Sequence, residues 1–218
     1  MYYGHLRKCL LELPKSHGIL YSVYMTQMNI QMSKVLCQIN DVGFTRKPTD
    51  VRFMGKLRDK MIQRGWVQLY DHDFIRRVTE QGTAFYGCLF NGHDLMETGK
   101  QRLCWRMQTM VGVDFDHCPV SPDEMVKIYE FEGFRPWLVY PTFSDGTESG
   151  LRSYRVLWKC EHDLNASYEQ WASTIKTLSN MTPYGDPRAQ DCSRMWQGGL
   201  KGFCHYDHSS PLLKSTLS

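Results

Sequence analysis

The sequence lacks the two features that would place a protein in or across a membrane. No apolar run approaches the roughly 20 residues that a membrane-spanning helix needs. The first residues, Met1 to Arg7, lack the charged start and apolar block of a secretion signal. We therefore expect a cytoplasmic protein with no membrane partner.

The chain also lacks a Cys-x-x-Cys pair, although it contains eight cysteines. Scattered cysteines without a secretion signal are typical of reduced thiols, so we expect no disulfide framework. Near the C-terminus, Cys204, His205 and His208 could join a metal site with Cys192. Their spacing matches no common zinc pattern, so zinc is not the expected cofactor.

The composition is that of a globular protein, with 13% aromatic and 42% hydrophobic residues in a chain of 218. Residues 1–80 hold 13 Lys and Arg against 7 Asp and Glu, whereas residues 81–218 hold 13 against 16. A basic part beside an acidic one suits a protein that grips a polyanion and holds metal ions. We predict a basic, mainly helical portion over residues 1–80, a core over residues 81–208 and a flexible tail over residues 209–218.

A helix is predicted after Pro48, with Thr49 or Asp50 as its N-cap and Gly65 as its stop. Apolar residues recur along one side of this segment at helical spacing. They are Phe53, Met54, Leu57, Met61 and Ile62. A second, shorter helix is predicted from Asp71 to Glu80.

A basic stripe runs along the first of these helices. Arg52, Lys56 and Lys60 follow one another at intervals of four residues, which places them on one face. Such a stripe is either a contact surface for DNA phosphates or an ordinary solvated face.

The pattern after Thr83 predicts the alternating strands and helices of an α/β (α+β) domain. In order, it gives a strand at 84–90, a polar loop at 92–100, a strand ending at 116, a helix opened by a capping box at 121–124 and closed by Gly133, a hairpin of strands 137–143 and 153–158, and a helix at about 165–180. The last helix is expected to bury Leu164, Tyr168, Trp171, Ile175 and Leu178.

The strand that begins at Met110 ends in two carboxylates one residue apart. Its period of two turns Gly112, Asp114 and Asp116 to one face. Buried unpaired carboxylates are costly, so such a pair is solvated, partly protonated or bound to a hard cation such as Mg²⁺. From these residues alone, a strand edge running into a polar turn and a metal site both remain open.

The second strand of the predicted hairpin carries an arginine among apolar neighbours. Ser153, Arg155 and Leu157 share one face of this strand. The charge of Arg155 requires a partner, which can be a carboxylate or a ligand phosphate. An arginine paired with a nearby glutamate, or emerging at an edge, is the alternative interpretation.

Three motifs between residues 110 and 199 occur in the order found in the archaeo-eukaryotic primase superfamily, which this sequence resembles. The first is the apolar strand with Asp114-Phe-Asp116, and the second is Ser153-Tyr-Arg155. The third is Asp186-Pro-Arg-Ala-Gln-Asp-Cys-Ser-Arg, similar to a pattern of the mobile-element branch. The resemblance implies an RRM-like primase-polymerase core with a mixed sheet and flanking helices.

The resemblance also implies roles for individual residues. The catalytic carboxylates, which would hold two Mg²⁺ or Mn²⁺ ions, are Asp114, Asp116 and Asp186. The residues that would bind the incoming nucleotide are Ser153, Arg155 and Arg194. Because Asp114 would be a solvated metal ligand, its replacement by alanine is expected to abolish transfer and leave the fold intact.

The sequence therefore predicts a primase-polymerase, a nucleotidyltransferase that copies a single-stranded DNA template from nucleoside triphosphates. Its setting would be the replication of a mobile element, phage or plasmid, with a replicative helicase or single-strand binding protein as partner. Two alternatives remain open: a metal-dependent nuclease, which would need no triphosphate, and a replication initiator that binds DNA without catalysis.

Overall fold

The computed structural model describes residues 33–91 and 101–215, apart from the side chain of Gln101. The strands are β1 (Lys34–Ile39), β2 (Val67–Tyr70), β3 (Phe85–Tyr86), β4 (Cys88–Phe90), β5 (Trp105–Gln108), β6 (Met110–Cys118), β7 (Leu138–Pro141), β8 (Arg152–Lys159), β9 (Met195–Trp196) and β10 (His205–Tyr206). The helices are α1 (Val51–Arg64), α2 (Asp71–Thr79), α3 (Gln101–Cys104), α4 (Pro122–Phe131) and α5 (Tyr168–Asn180), with a 3₁₀ turn at Pro187–Ala189. The predicted α+β fold class is confirmed.

The strands form two four-stranded sheets, ordered β2-β1-β3-β9 and β10-β7-β8-β6, and a two-stranded ribbon of β4 and β5. In the second sheet, β6 leads through α4 to β7, and β8 then inserts between the two. This arrangement is a split βαβ unit. A mixed sheet was expected, but every pairing between these strands is antiparallel, because β8 separates the two strands that run in the same direction.

From Met110 to Phe115, both faces of β6 are buried, and they belong to different cores. Val111, Val113 and Phe115 face α4 and α5, in a core that also receives Trp158 and Trp171. On the opposite face, Met110 and Leu157 share a second core with α2 and β1, whose members include Phe74, Val78, Val35 and Cys37. The strand that carries the two carboxylates is therefore fixed from both sides.

A buried ion pair ties α2 to the second sheet. The Lys159 ammonium lies 2.7 Å from both carboxylate oxygens of Asp71, the first residue of α2. Trp137 and Tyr206 each donate a further hydrogen bond to Asp71, at 3.3 Å. Burial lowers the pKa of Lys159, although the bonds to Asp71 oppose this effect.

The start and stop patterns place most of the helices correctly. Asp50 caps α1 by accepting hydrogen bonds from two backbone N–H groups, and Gly65 ends the helix with a φ of 85°. The capping box of Ser121 and Glu124 opens α4 as predicted. The last helix begins three residues late, because Ser167 and Gln170 form a second capping box.

Three structural expectations drawn from the sequence pattern are wrong. Leu164 precedes α5 and is 79% exposed, so it does not join the core. The strand expected over residues 84–90 is broken at Gly87, whose carbonyl accepts hydrogen bonds from the N–H groups of Thr109 and Met110, both at 2.8 Å. Residues 209–215 are not a free tail, because Leu213 exchanges backbone hydrogen bonds with Lys159 and Glu161.

The division predicted at residue 80 falls inside a sheet. Strand β1 pairs with β3 from the other side of that boundary, and residues from Lys34 onward form one compact unit. Within the expected helical portion, residues 34–80 contain two strands as well as two helices. The rest of that portion, and the polar loop at 92–100, lie outside the described residues.

At Gly112 on β6, the second core leaves no room for a Cβ atom. A Cβ atom there would lie 2.7 Å from Leu157 and 2.8 Å from Trp196. We predict that Gly112→Ala lowers the free energy of unfolding by about 1–3 kcal/mol, as overpacking of a core does. Urea denaturation measures this.

Gly55→Ala is the matched control, since no atom lies within 4 Å of a Cβ at that position of α1. This control is expected to be neutral or to stabilise by up to about 1 kcal/mol. If Gly112→Ala and wild type were equally stable, the core would be shown to rearrange around the added methyl group without cost.

Candidate active site

Asp114 is a buried carboxylate bound to a buried arginine. It lies directly opposite Arg155 in the pairing of β6 with β8, and both residues are 6% exposed. Arg155 Nε donates a hydrogen bond of 2.5 Å to Asp114 Oδ1. The partner that the sequence required for Arg155 is therefore a carboxylate of the neighbouring strand.

Arg155 also binds two further groups of the protein. Its Nη1 donates to the Tyr140 hydroxyl and to the Gln197 carbonyl, both at 2.7 Å. The guanidinium carbon lies 5.4 Å from the centre of the Trp196 ring, within reach of a cation–π interaction. Burial alone would lower the pKa of Arg155, but the charge of Asp114 raises it above its usual value. Arg155 is thus a fixed, permanently charged centre.

A second arginine approaches Asp114 from the solvent side. Arg194 Nη2 lies 3.7 Å from Asp114 Oδ2, and its Nη1 donates a hydrogen bond of 2.9 Å to the Arg188 carbonyl. The Arg194 side chain is 35% exposed, in contrast to the buried Arg155. The turn before it is held by Asp191, which accepts hydrogen bonds from both the backbone and the hydroxyl of Ser193.

Asp186 reaches this region through its backbone. Its N–H donates a hydrogen bond of 2.9 Å to the Asp114 carbonyl. Its carboxylate instead caps the 3₁₀ turn by accepting from the Arg188 N–H, also at 2.9 Å. The third motif therefore lies beside the first, while the carboxylate of Asp186 is engaged within its own loop.

Ser153 is placed differently from the other predicted residues. A bulge interrupts the pairing of β6 with β8 after Phe115, and His117 takes a φ of 53° there. The His117 N–H donates a hydrogen bond of 3.2 Å to the Ser153 hydroxyl, which is buried. Ser153 therefore supports the end of β6.

A pocket of about 110 Å³ opens beside these residues. Of the predicted site residues, it brings together Asp114, Asp116, Arg155 and Arg194 and leaves out Ser153 and Asp186. Asp116 is exposed, and its carboxylate forms no hydrogen bond or ion pair within the described residues. It is thus the carboxylate of the pocket that remains free to bind a ligand.

Lys47 and Gln197 are among the lining residues that the sequence analysis did not predict. Lys47 follows Arg46 just before α1, and a basic pair of that kind gives no specific pattern. Gln197 contributes its carbonyl, which any residue could supply. Neither could have been found without the tertiary contacts.

The donor set of the pocket fits a divalent ion only in part. Asp114 and Asp116 supply the carboxylate oxygens that Mg²⁺ and Mn²⁺ prefer. Among residues 33–91 and 101–215, however, no three His, Cys, Asp or Glu side chains are grouped as metal ligands. Two carboxylates fit one ion, while the three-carboxylate arrangement would need Asp186 to leave its turn.

The loop that borders the pocket is anchored by Asp145. This carboxylate binds Arg152 Nε at 2.8 Å, the Ser153 N–H at 3.1 Å and the Lys201 ammonium at 3.1 Å. Burial acts to raise the pKa of Asp145, but these hydrogen bonds lower it to about 2. The neighbouring Ser144 lines the pocket, so Asp145 fixes part of its wall.

The fold and pocket define an α+β protein with carboxylates and arginines gathered beside a split βαβ unit. No protein-family model matches the chain, and no curated protein matches it. Among solved structures, the AEP domain of the primase-polymerase (PrimPol) of cyanophage S-2L is similar over 83% of this chain and 78% of its own. The identity is 9% and the TM-score 0.36, a similarity too distant to indicate a function. No helix among the described residues is long and apolar enough to span a membrane.

The burial of Asp114 reverses one expectation about its replacement. The carboxylate is not solvated, so Asp114→Ala leaves a buried arginine charge without its partner. We predict a loss of about 3 kcal/mol in the free energy of unfolding, at the lower end for broken buried pairs because Tyr140 and Gln197 still bind Arg155. Urea denaturation of Asp114→Ala and of the double variant Asp114→Ala/Arg155→Leu measures this.

The double variant removes both charges and is expected to be more stable than Asp114→Ala alone. If Asp114→Ala were as stable as wild type, the pair would contribute nothing to folding.

The pKa of Asp145 predicts an acid-sensitive loop. Its value in the folded protein, about 2, lies below the ordinary 3.8, so its stabilisation is complete above pH 3.8 and is lost as the pH falls toward 2. Asp145→Asn should therefore cost on the order of 2 kcal/mol near neutral pH and progressively less below pH 4. Unfolding free energies measured between pH 2 and 7 for both proteins test this, and parallel curves would contradict it.

Proposed function

We propose that the chain is a nucleotidyltransferase of the primase-polymerase kind, which adds nucleotides from triphosphates to a primer on single-stranded DNA. The observation that carries this proposal is the meeting of the three motifs. Asp114 and Asp116 on β6, Arg155 on β8 and Arg194 before β9 line one pocket, although long stretches of chain separate them. The order and residue types of these motifs resemble the archaeo-eukaryotic primase superfamily.

In this proposal the cations of the pocket divide into two kinds. Arg155 is buried and makes three hydrogen bonds to protein groups, so its main role in this proposal is to position Asp114. Arg194 is partly exposed and Lys47 is exposed, so both remain available to a triphosphate. The planar fork of Arg194 suits directional hydrogen bonds to phosphate oxygens, and Lys47 supplies a point charge.

The proposed metal ligands are Asp116 and Asp114, with Asp186 as an additional one. A divalent ion bound there, Mg²⁺ or Mn²⁺, would lower the pKa of the attacking 3′-hydroxyl and stabilise the leaving pyrophosphate. Asp116 is proposed to bind most directly because its carboxylate has no protein partner in the described residues. Asp114 is held in place by Arg155, which orients its second oxygen.

The wider setting of this activity is proposed from the resemblance alone. It would be the replication of a mobile element, phage or plasmid in the cytoplasm, alongside a helicase or a single-strand binding protein. A nuclease would share the carboxylates, but its phosphodiester substrate carries a single negative charge, whereas the partly exposed Arg194 and the exposed Lys47 suit the several charges of a triphosphate. Their exposure in the pocket is why transfer is proposed in preference to hydrolysis.

Asp116→Asn is the variant that tests this function most directly. It keeps the size of an exposed side chain, so the fold should be unaffected, while the proposed metal ligand loses its charge. We predict that extension of a labelled primer on single-stranded DNA, with Mn²⁺ or Mg²⁺ and dNTPs, falls by about 10- to 100-fold or more.

Glu130→Gln, which alters an exposed carboxylate on α4, serves as the control and should extend the primer like wild type. Shortening of the primer by wild type without dNTPs would identify a nuclease. Equal extension by wild type and Asp116→Asn would remove Asp116 from the site.

A further inference from the structure

A row of exposed cations leads from the pocket along α1. Lys47 lines the pocket, three residues before Asp50 caps the helix. Arg52, Lys56 and Lys60 follow, all of them exposed, on the side of α1 opposite its buried residues. We call Lys47, Arg52, Lys56 and Lys60 the basic ridge.

The start of the ridge is attached to the pocket by direct contacts. Gln197 Nε2 donates a hydrogen bond of 3.4 Å to the Pro48 carbonyl and lies 4.0 Å from Met54 Sδ. Gln197 itself lines the pocket and binds Arg155 through its carbonyl. The first turn of α1 therefore lies at the pocket, and the ridge runs outward from it.

The charges of the ridge are not neutralised by the protein. Within the described parts of the chain, none of its four residues forms an ion pair, whereas the neighbouring Arg58 and Arg64 are paired with Asp59 and Asp41. A cation without an ion-pair partner attracts the phosphates of a polyanion more strongly than a paired one does. The ridge is therefore distinct from the paired basic residues of the same helix.

The spacing of the ridge suits a nucleic-acid backbone. Residues four apart in a helix rise about 6 Å along its axis, so Arg52, Lys56 and Lys60 present charges at regular intervals. This interval is close to the separation of consecutive phosphates in an extended strand. Because the ridge is only one helix wide, it suits contact with the phosphate backbone of a single strand.

An exposed indole lies just beyond the far end of the ridge. Gly65 ends α1, and the next residue, Trp66, is 58% exposed. Aromatic side chains beside cations stack on unpaired bases, which a duplex does not offer because its bases already stack on each other. Trp66 therefore favours a single strand as the partner.

We propose that the basic ridge and Trp66 bind single-stranded DNA and lead it along α1 to the pocket. The identity of this strand as the template rests on the proposed function, but the binding itself does not. The ridge supplies the salt-dependent contacts to phosphate, and Trp66 supplies stacking. Lys47 lies where the strand and the bound triphosphate would meet.

The test is the affinity of the full chain for a labelled single-stranded oligothymidylate, measured by fluorescence anisotropy without metal or triphosphate. The triple variant Arg52→Gln/Lys56→Gln/Lys60→Gln removes three charges from exposed positions with little change in helix propensity. We expect Kd to rise at least tenfold at low salt. The slope of log K against log salt should also become shallower by about 2, since each phosphate contact on a single strand contributes about 0.7.

Two further variants give the test its controls. Lys127→Gln/Lys176→Gln removes exposed charges from α4 and α5 and should leave Kd within twofold of wild type. Trp66→Ala should weaken binding several-fold with an unchanged salt slope, because stacking releases no counterions. Circular dichroism of each variant checks that the fold is kept.

An unchanged Kd and salt slope in the triple variant would overturn the proposal. Duplex DNA bound as tightly as the single strand, with no effect of Trp66→Ala, would overturn the single-strand assignment. Primer extension is a separate outcome. If wild type fails to extend a primer but the triple variant still loses affinity for DNA, the proposed function is wrong and the proposed DNA-binding role of the basic ridge is retained.

Discussion

The ion pair of Asp114 and Arg155 is the contact on which the site depends. Two opposite charges on neighbouring strands are removed from water, and each would be costly to bury without the other. The guanidinium also binds Tyr140 on β7 and the Gln197 carbonyl after β9. One side chain thus joins the second sheet to the segment that follows the third motif, and a change at Arg155 affects all of them.

This pair divides the pocket into a fixed part and a free part. The fixed part is the neutralised Asp114 with its arginine, which contributes geometry because its hydrogen bonds are already made within the protein. The free part is Asp116, Arg194 and Lys47, all at least partly exposed. In the proposed function, the ligand would bind mainly to the free part and to the second oxygen of Asp114, because groups without strong protein partners gain most from a bound ion or phosphate.

Local sequence patterns predicted which residues share a face of a strand and where helices begin but, beyond the hairpin of β7 and β8, not which strands pair. A period of two placed Asp114 and Asp116 on one face of their strand and Ser153 and Arg155 on one face of theirs, and capping residues located α1 and α4. Local rules do not specify which strands become neighbours, so a carboxylate and a phosphate were equally good partners for Arg155. The bulge in β6 after Phe115, which brings the His117 N–H to the Ser153 hydroxyl, is likewise revealed only by the paired strand.

The position of Lys47 and α1 beside the pocket could not be predicted from local sequence patterns. It depends on which surface the helix presents to the pocket. Leu57, Met61 and Ile62 fix that surface by packing inward, and the basic ridge is then necessarily outward. The contact of Gln197 with the Pro48 carbonyl sets where the ridge begins. The same segment that completes the environment of Arg155 thus also aligns α1, so the buried ion pair and the exposed cations are positioned by one shared element.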